Sequence, residues 1–594
     1  MLESTKVQNV FVPTPPTMSK ATVLGYLIKQ YPACVVGSTP HSAILVDGTM
    51  QLHSIGNSRR SPGGAEHTPT NDDVLIRLSN LFDQLFMRTN TLYFAVDQTP
   101  YVPLAKAHVQ AKRNKTTALP EYEMLFPGNA GCKAVEQSRK SQFEKQKIEL
   151  QRENTAASMT LLDMESPSDV IVRKMGLDRP PSTRELLEAS RSFYLPRPWQ
   201  DAVSGANRCK TMRYITRMLT ESNAAYNPPV GKTLILDGHA RLDNQDVPLV
   251  LEWDKRLPRS MHPSTLGYVP GAQHPRPVVT SEWTLENQLG EADAKIIHTI
   301  DRLYDCGKGH RTFEVVTADT DATLQCMWYL ARLVRDTGQC PEVVVNRYSA
   351  TANQFLSVNK LMAELIRDYG QYIQGKHDPF VVVTNVLVVC FAHSSDYTTG
   401  YSEITGEKML ETLRMHHNYV GNLCVSESMG PGSVPVVCPA AYVRLVLCSY
   451  YVKYQKHFEK SLYNTPAKLS VAGVIGVTSS LVAADWRPFV AHPERCPTSI
   501  DKFKSMMSNL AKRCPPAQQI AHRFWLLQYY VFMVHQYGDP SLRLDHVKYY
   551  DYATSSPDGE FHRKAVSFMA TNDYENRHYH RQQYVMNALQ NGSQ

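Results

Sequence analysis

The sequence lacks a long apolar run, closely paired cysteines and a strong excess of one charge. Its 594 residues include 63 Lys and Arg against 56 Asp and Glu, a formal net charge of +7. The most apolar stretch, 380–392, is shorter than the roughly 18 residues of a membrane span and carries Thr384 and Asn385. The first residues have no apolar core behind a basic start, so no secretory signal is predicted. These absences predict a soluble, intracellular protein, nuclear or cytoplasmic, with no membrane partner.

Zinc chemistry is also unsupported by the sequence. None of the twelve cysteines is spaced as Cys-x-x-Cys, whereas a zinc site needs paired, closely spaced ligands. Most cysteines lie in apolar stretches, so we expect reduced, buried thiols. His578 and His580 have a spacing that suits a metal, but no partnering ligands accompany them. The mild positive charge permits a polyanionic partner without identifying one.

Strands and helices alternate in the first hundred residues. Two short buried strands are predicted at 43–46 and 91–96, and helical spacing predicts a helix over 72–87 between them. Each strand closes on an aspartate, Asp47 or Asp97. This order is typical of a parallel α/β sheet, in which ligands bind at the carboxyl ends of the strands. The two aspartates are therefore predicted to share one edge.

The rest of the chain changes character twice. Between about 116 and 280 the pattern loosens into what we interpret as one large insertion, and α/β order resumes at Gly290. From about 410 onward the chain is predicted to be mostly helical. The fold class is therefore α/β: a mainly parallel sheet flanked by helices, with a large insertion and a mostly helical carboxyl-terminal region. The other predicted elements are helices at 21–31, 139–154, 291–300 and 385–393, a helix ending near 335, and strands at 234–236, 313–316 and 380–383.

Seven acidic residues fall at predicted strand ends or helix starts. Close carboxylates repel by several kcal/mol in a partly desolvated site, so such a cluster persists only where divalent cations neutralise it. Oxygen ligands favour Mg²⁺ or Mn²⁺ over zinc, and two such ions about 3.5–4 Å apart suit in-line attack of water on a phosphodiester. Each acid taken alone has a simpler interpretation as a cap or turn residue. The seven are Asp47, Asp97, Glu291, Asp293, Asp319, Asp321 and Asp396.

Five short sequence blocks carry these acids in chain order. The blocks are Ile44-Leu-Val-Asp47-Gly, Phe94-Ala-Val-Asp97-Gln-Thr-Pro100, Gly290-Glu291-Ala-Asp293-Ala, Val315-Val-Thr317-Ala-Asp319-Thr-Asp321 and His393-Ser-Ser395-Asp396-Tyr397. As an ordered set they resemble the flap endonuclease/XPG-like structure-specific 5′-nucleases, which have a PIN-like, Rossmann-like core. The resemblance covers roughly 21–115 and 285–410. It identifies the chain as a divergent member, and the divergence and the insertion suggest a viral or fast-evolving genome.

The resemblance implies a role for each acid and for a set of basic residues. Lys106 and Arg113, seven residues apart, match the family's Lys and Arg that hold the scissile phosphate, and this spacing places both on one helical face. A solvated basic helix end is the alternative. The resemblance implies that Asp47, Asp97, Glu291, Asp293 and Asp319 hold one ion and that Asp321 and Asp396 serve the second. Further candidate nucleic-acid contacts are Lys112, Lys115, Lys453, Lys456 and Lys460, the last three of which would also suit a solvated helical face.

The resemblance also implies a division of the chain. The predicted regions are a flexible lead-in at 1–20, an amino-terminal nuclease half at 21–115, an expanded arch-like insertion at 116–284, an internal nuclease half at 285–410 and a helical region at 411–594. The family grips duplex DNA with a helix–two-turn–helix that needs two closely spaced glycines. Gly400 and Gly406 match that pattern poorly, so duplex gripping is not implied.

The predicted function is a Mg²⁺-dependent nuclease that holds two ions, with Mn²⁺ as a substitute, and cuts DNA at 5′ ends or single-strand/duplex junctions. One alternative is an RNA-cutting enzyme resembling the host-shutoff nucleases of herpesviruses. The other is a catalytically dead scaffold that binds nucleic acid. The cluster of acids argues against that scaffold, because a binder of polyanions gains nothing from negative charge. The preference for endo- or exonucleolytic cutting and the protein partners are left open.

Overall fold

The computed structural model of the protein describes the chain in separate stretches. The described residues are 21–57, 70–97, 187–188, 191, 199, 203, 205–223, 225–237, 247–258, 276–287, 289, 291–305, 310–348, 353–373, 378–393, 395, 398, 401, 404–424, 435–438, 441–442, 444–446, 448–450, 452–453 and 517–537.

The described residues form one nine-stranded mixed sheet. In chain order the strands are β1 (Val35–Val36), β2 (Ala43–Asp47), β3 (Thr91–Ala95), β4 (Thr233–Leu236), β5 (Leu249–Glu252), β6 (Val278–Ser281), β7 (Thr312–Thr317), β8 (Glu342–Tyr348) and β9 (Asn353–Ser357). Their order across the sheet is β1-β9-β8-β7-β2-β3-β4-β5-β6. The central strands from β8 to β4 run parallel, and antiparallel strands flank them on both sides.

Helices pack on both faces of this sheet, which makes the fold α/β, as predicted. The helices with described bounds are α1 (Ala21–Gln30), α2 (Gly48–Asn57), α3 (Asn71–Phe86), α4 (Gly205–Glu221), α5 (Ala292–Asp305), α6 (Thr320–Thr337), α7 (Val358–Tyr369), α8 (Pro379–His393), α9 (Gly406–Val420) and α10 (Ala517–Gln536).

Strand alternation divides the buried side chains between two cores. In β2, Ala43 and Leu45 join the core formed with α1 and α5 to α10, whereas Ile44 and Val46 join the core under α3 and α4. Successive residues of a strand point to opposite faces, so a strand buried on both sides is apolar throughout. This burial explains why β2 was recognisable as a continuous apolar run in the sequence.

The helix α3 shows how local sequence fixes an element. Thr70 caps it: its hydroxyl accepts a hydrogen bond from the Asp73 backbone N–H, and the Asp73 carboxylate accepts one from the Thr70 backbone N–H at 2.7 Å. This reciprocal pair satisfies two helix-end donors. The predicted helix at 72–87 and the predicted strands at 43–46, 91–96, 234–236 and 313–316 are confirmed as α3, β2, β3, β4 and β7.

The predicted strand at 380–383 is wrong, because α8 runs without a break from Pro379 to His393. Asp378 starts this helix by accepting a hydrogen bond from the Phe380 backbone N–H at 2.8 Å. Every side chain from Phe380 onward is buried, and α6, α7, α9 and α10 all contact the helix. A helix that is apolar on all sides is stable only in such surroundings. Packing against the neighbouring helices therefore outweighs the preference of the valines for strand conformation.

The region 116–284 contributes three strands to the same sheet. β4 pairs in parallel with β3, and β5 and β6 extend the sheet in antiparallel fashion. The predicted charged helix at 139–154 lies outside the described residues. Five strands and three helices had no counterpart in the sequence predictions: β1, β5, β6, β8, β9, α2, α4 and α7.

The chemistry of the described cysteines agrees with the sequence prediction. The seven whose side chains the structure describes are free thiols that are buried or half-buried. Burial raises the pKa of the Cys326 and Cys390 thiols to about 12, which keeps them protonated and unreactive. Among the described helices, none combines the length and the apolar character that crossing a membrane requires.

Candidate active site

The centre of the sheet brings the ends of three strands to one edge. β2 lies between β3 and β7, and the register pairs Asp47 with Ala95 and Val46 with Val316. The chain moves from β2 through β3 to β4 on one side and returns to the other side of β2 with β7. The reversal between β2 and β7 is a topological switch point, where open α/β sheets bind ligands. Residues that follow these strands therefore meet around the end of β2.

Asp47 closes β2 and is only 9% exposed. Its Oδ1 accepts a hydrogen bond from the Met50 backbone N–H at 3.0 Å, and its Oδ2 accepts one from the Thr317 hydroxyl at 3.3 Å. The helix α2 begins at the next residue, Gly48. A Cβ at Gly48 would lie 2.5 Å from a ring carbon of Phe94. The lack of a side chain at Gly48 therefore permits the close turn that presents Asp47.

Asp97 follows β3 and lies beside the start of α5. Its Oδ1 accepts a hydrogen bond from the Ala292 backbone N–H at 2.7 Å, and its Oδ2 binds Nη1 of Arg208 at 2.5 Å. Its own N–H donates to the Thr49 hydroxyl oxygen at 2.8 Å. Arg208 belongs to α4, 111 residues further along the chain. The region 116–284 thus delivers a cation to this edge.

The start of α5 supplies two more carboxylates. Glu291 precedes the helix and is 9% exposed, and Asp293 lies in the first turn. Within the part of the chain that the structure describes, Oδ1 of Asp293 is buried without a hydrogen-bond partner. A buried carboxylate oxygen without a donor is unfavourable unless a proton or a cation satisfies it.

The start of α6 contributes Asp319 and Asp321. Asp319 is the N-cap residue, and its Oδ1 accepts a hydrogen bond from the Asp321 backbone N–H at 3.0 Å. The Asp319 N–H donates to Oγ1 of Thr317 at 3.0 Å, and this same hydroxyl contacts Asp47. Asp321 is 3% exposed. Thr317 therefore joins the end of β2 to the cap of α6.

The aspartates share one field of negative charge. Burial and then the charge of Asp97, with a smaller effect of Asp319, raise the pKa of Asp47 to about 7. Burial raises the pKa of Asp293 well above its usual range, and four neighbouring charges add to this shift, in the order Asp319, Asp47, Asp97 and Asp321. Like charges disfavour ionisation of their neighbours. Asp293 therefore lies within electrostatic reach of the other four aspartates.

These carboxylates do not converge on a single point. No three His, Cys, Asp or Glu side chains among the described residues come close enough to form a metal-binding group. Electrostatic coupling extends beyond coordination distances of about 2.0–2.6 Å, so the shared field and the lack of convergence are compatible. Asp97 is held by Arg208, and Asp319 is held by the cap of α6. Joint coordination of an ion requires these side chains to rotate from their present partners.

One carboxylate at this edge is neutralised by a buried lysine. Asp237 follows β4, and its Oδ2 binds Nζ of Lys295 at 2.7 Å and accepts a hydrogen bond from the Val96 N–H at 3.0 Å. The Lys295 ammonium also donates to the Val96 carbonyl at 3.1 Å. Both charged side chains are 0% exposed. The pair thus holds the backbone of Val96, the residue before Asp97.

Seven predicted site residues lie outside the described part of the chain. Asp396 is one of them, and the described residues nearest to it in sequence are Ser395 and Thr398, two buried residues whose hydroxyls hydrogen-bond at 3.0 Å. Lys453 is exposed. The residues outside the described part are Lys106, Lys112, Arg113, Lys115, Asp396, Lys456 and Lys460.

Sequence reasoning did not single out four residues that shape this edge: Thr317, Arg208, Asp237 and Lys295. Thr317 lies within the block that contains Asp319, and Asp237 follows a strand as Asp47 does, so both carried a local indication. Arg208 carried none, because its contact with Asp97 joins residues far apart in the chain.

Comparison with known protein families and curated proteins found no match to this chain.

Proposed function

We propose that the protein is a divalent-metal-dependent nuclease with a PIN-like core, similar in its site to the flap endonuclease/XPG-like 5′-nucleases. One observation carries this proposal: five aspartates from three strand ends and two helix starts share a field of negative charge at the switch point of the sheet. Clustered carboxylates destabilise a fold, so a functional reason for them is needed. Cation-assisted hydrolysis of phosphodiesters is the chemistry that such clusters serve.

The donor set fits a hard divalent cation. All the donors are carboxylate oxygens, which Mg²⁺ and Mn²⁺ prefer, and the buried Oδ1 of Asp293 has an unsatisfied acceptor site among the described residues. Asp47, Asp293, Asp319 and Asp321 are the residues that would hold the ions, together with Glu291 and Asp97. Bound Mg²⁺ supplies charge neutralisation of the phosphate and a lowered pKa of water.

Arg208 gives this negative edge a fixed cation for the substrate. Its guanidinium lies 2.5 Å from Asp97 and is 14% exposed. A guanidinium binds phosphate oxygens in the same forked geometry as a carboxylate. We assign Arg208 the role of exchanging Asp97 for a phosphate oxygen when nucleic acid binds. Lys106 and Arg113 keep the phosphate-holding roles that the resemblance gives them.

The substrate class within nucleic acids follows from the resemblance, which favours DNA at 5′ ends or single-strand/duplex junctions. Cleavage of single-stranded RNA is the competing outcome. Both substrates carry the same scissile group, so the site itself serves either one.

Replacement of Asp319 by Asn tests the proposal with little change to the fold. Asn caps a helix as well as Asp does, so α6 keeps its start while the site loses a charge. The full chain is assayed with Mg²⁺ on a 5′-flap DNA and on a single-stranded RNA. We expect at least a thousandfold loss of cleavage in D319N, with nucleic-acid binding in Ca²⁺ within about threefold of the parent.

Asp336 provides the matched control, because it is an exposed acid at the other end of α6, about 26 Å away by helix rise. D336N should cleave like the parent. Cleavage by D319N at the parental rate would refute the mechanism. Binding by the parent without turnover in any divalent metal would identify a dead scaffold instead.

A further inference from the structure

The buried pair of Asp237 and Lys295 lies next to the candidate site without belonging to its acidic cluster. We propose that this pair is a positioning device that fixes the backbone from which Asp97 reaches the candidate metal site. The inference rests on the proposed function, since it assigns the pair to the same metal site. Neither residue would touch the ion or the substrate.

The pair of Asp237 and Lys295 binds the backbone directly before Asp97. β3 ends at Ala95, so Val96 has left the regular strand. The Val96 N–H donates to Asp237, and the Val96 carbonyl accepts a hydrogen bond from Lys295. Both backbone groups of the residue before Asp97 are therefore bonded to this ion pair. A fixed peptide at Val96 fixes the direction in which Asp97 leaves the sheet.

Lys295 also connects β3 to α5. It lies one turn into the helix whose Ala292 N–H binds Oδ1 of Asp97 at 2.7 Å. Asp237 in turn is anchored to the sheet, because its own N–H donates to the Phe94 carbonyl at 3.1 Å. The ion pair thus sets the helix start, the strand end and Asp97 relative to one another.

The free energy of burying two charges also bears on the role of the pair. A buried ion pair often contributes no more stability than a well-packed apolar pair of the same volume. A lysine and an aspartate that are both 0% exposed are therefore not explained by stability alone. Hydrogen-bond partners that orient metal ligands typically change metal affinity 10–100-fold when they are replaced.

A double-mutant cycle between Asp237 and Asp97 tests whether the pair acts through Asp97. Binding of Mn²⁺ alone to the full chain is measured calorimetrically for the parent, D237N, D97N and D237N/D97N. We expect D237N to weaken Mn²⁺ binding about tenfold in the parent but less than twofold in the D97N background. Equal effects in both backgrounds, or no effect in the parent, would overturn the proposal.

A matched control comes from the interior of β7, the strand next to β2. Glu314 in β7 is a buried carboxylate bound by Asn346 at 2.9 Å and Arg88 at 2.8 Å, three residues before Thr317. E314Q removes an equally buried charge away from the acidic cluster. Its Mn²⁺ affinity should equal that of the parent. A tenfold loss in E314Q would show that any weakened core lowers metal affinity, which would also overturn the proposal.

A second variant keeps the test decisive if D237N does not fold. Lys295→Met combined with Asp237→Leu removes both charges and leaves an apolar pair. Without metal, the amide hydrogen of Asp97, which donates to Thr49, should exchange at least tenfold faster in this double variant than in the parent. Unchanged exchange would overturn the proposal. A parent chain that binds no Mn²⁺ would instead refute the proposed function, so the two failures are distinguishable.

Discussion

Asp237 and Asp47 close parallel strands of the same sheet, yet their surroundings are opposite. Asp237 has an ammonium group at 2.7 Å and is fully buried. Asp47 has, among the described residues, a hydroxyl and a backbone N–H as partners and other carboxylates nearby. An aspartate at a strand end is therefore not functional by position alone. A fully buried compensating cation separates the structural Asp237 from the candidate ligand Asp47. Asp97 differs from both, because its cation, Arg208, is partly exposed.

The largest expected effect follows from loss of the cation that compensates Asp237. Lys295→Met leaves Asp237 as a buried carboxylate without its cation, which should lower the free energy of unfolding by about 3–5 kcal/mol in urea denaturation. The control is Lys232→Met, whose half-buried ammonium donates to Thr89 and Asn90 near the surface and should cost about 1 kcal/mol. Equal losses of unfolding free energy in both variants would contradict the special role of the buried cation beside Asp237.

The next effect concerns the turn that presents Asp47. A Cβ in Gly48→Ala would lie 2.5 Å from the Phe94 ring and 2.7 Å from the Ala95 carbonyl oxygen, so the backbone must shift. We expect a loss of about 1–3 kcal/mol in unfolding free energy, together with weaker Mn²⁺ binding. Gly25→Ala in α1 is the control, because nothing lies within 4 Å of its added Cβ. That variant should be as stable as the parent or up to about 1 kcal/mol more stable.

Removal of the uncompensated charge of Asp47 should raise the free energy of unfolding, whereas the two preceding substitutions lower it. The folded pKa of Asp47, about 7, lies above its usual 3.8, so the folded state binds the proton more tightly than the unfolded chain. Stability should therefore fall as pH rises from about 4 to about 7, and Asp47→Asn should flatten this slope. In a chelating buffer at pH 8 we expect D47N to be about 1 kcal/mol more stable than the parent. A less stable D47N at pH 8, or an unchanged slope, would contradict the assignment.

The smallest expected effect tests the cation in the acidic cluster. Arg208→Gln should weaken binding of a single-stranded oligonucleotide a few-fold and make the slope of log affinity against log salt less negative by about one. Arg217, on the same helix, pairs with Glu221 at 3.2 Å. Arg217→Gln is the control and should leave both quantities unchanged. A parental salt slope in R208Q would show that Arg208 serves Asp97 alone.

Much of the sheet centre was predictable because its information is local. The strands β2, β3 and β7 are apolar runs of a few residues, and α3 combines an apolar period with a capping box. The positions of the described acids were predictable for the same reason, since each lies within two residues of a strand end or a helix start. Local patterns failed at 380–383, where the surrounding helices decide the structure.

The partners of the acids were not predictable from local patterns. The contact of Lys295 with Asp237 spans 58 residues, and that of Arg208 with Asp97 spans 111. No short-range period encodes such a pairing, because it depends on where whole elements lie in the folded sheet. The sequence therefore indicated where the acids lie but not which of them are already neutralised.

The position of β2 between β3 and β7 has a consequence for synthesis on the ribosome. Asp47 meets Thr317 only after 270 further residues have been added, which takes about 15–50 s at 5–20 residues per second. Until then one side of β2 has no neighbour, and the nascent chain needs protection from aberrant pairing. The acidic cluster is likewise incomplete during this interval, so the proposed cleavage of nucleic acid could begin only after the start of α6 has been made.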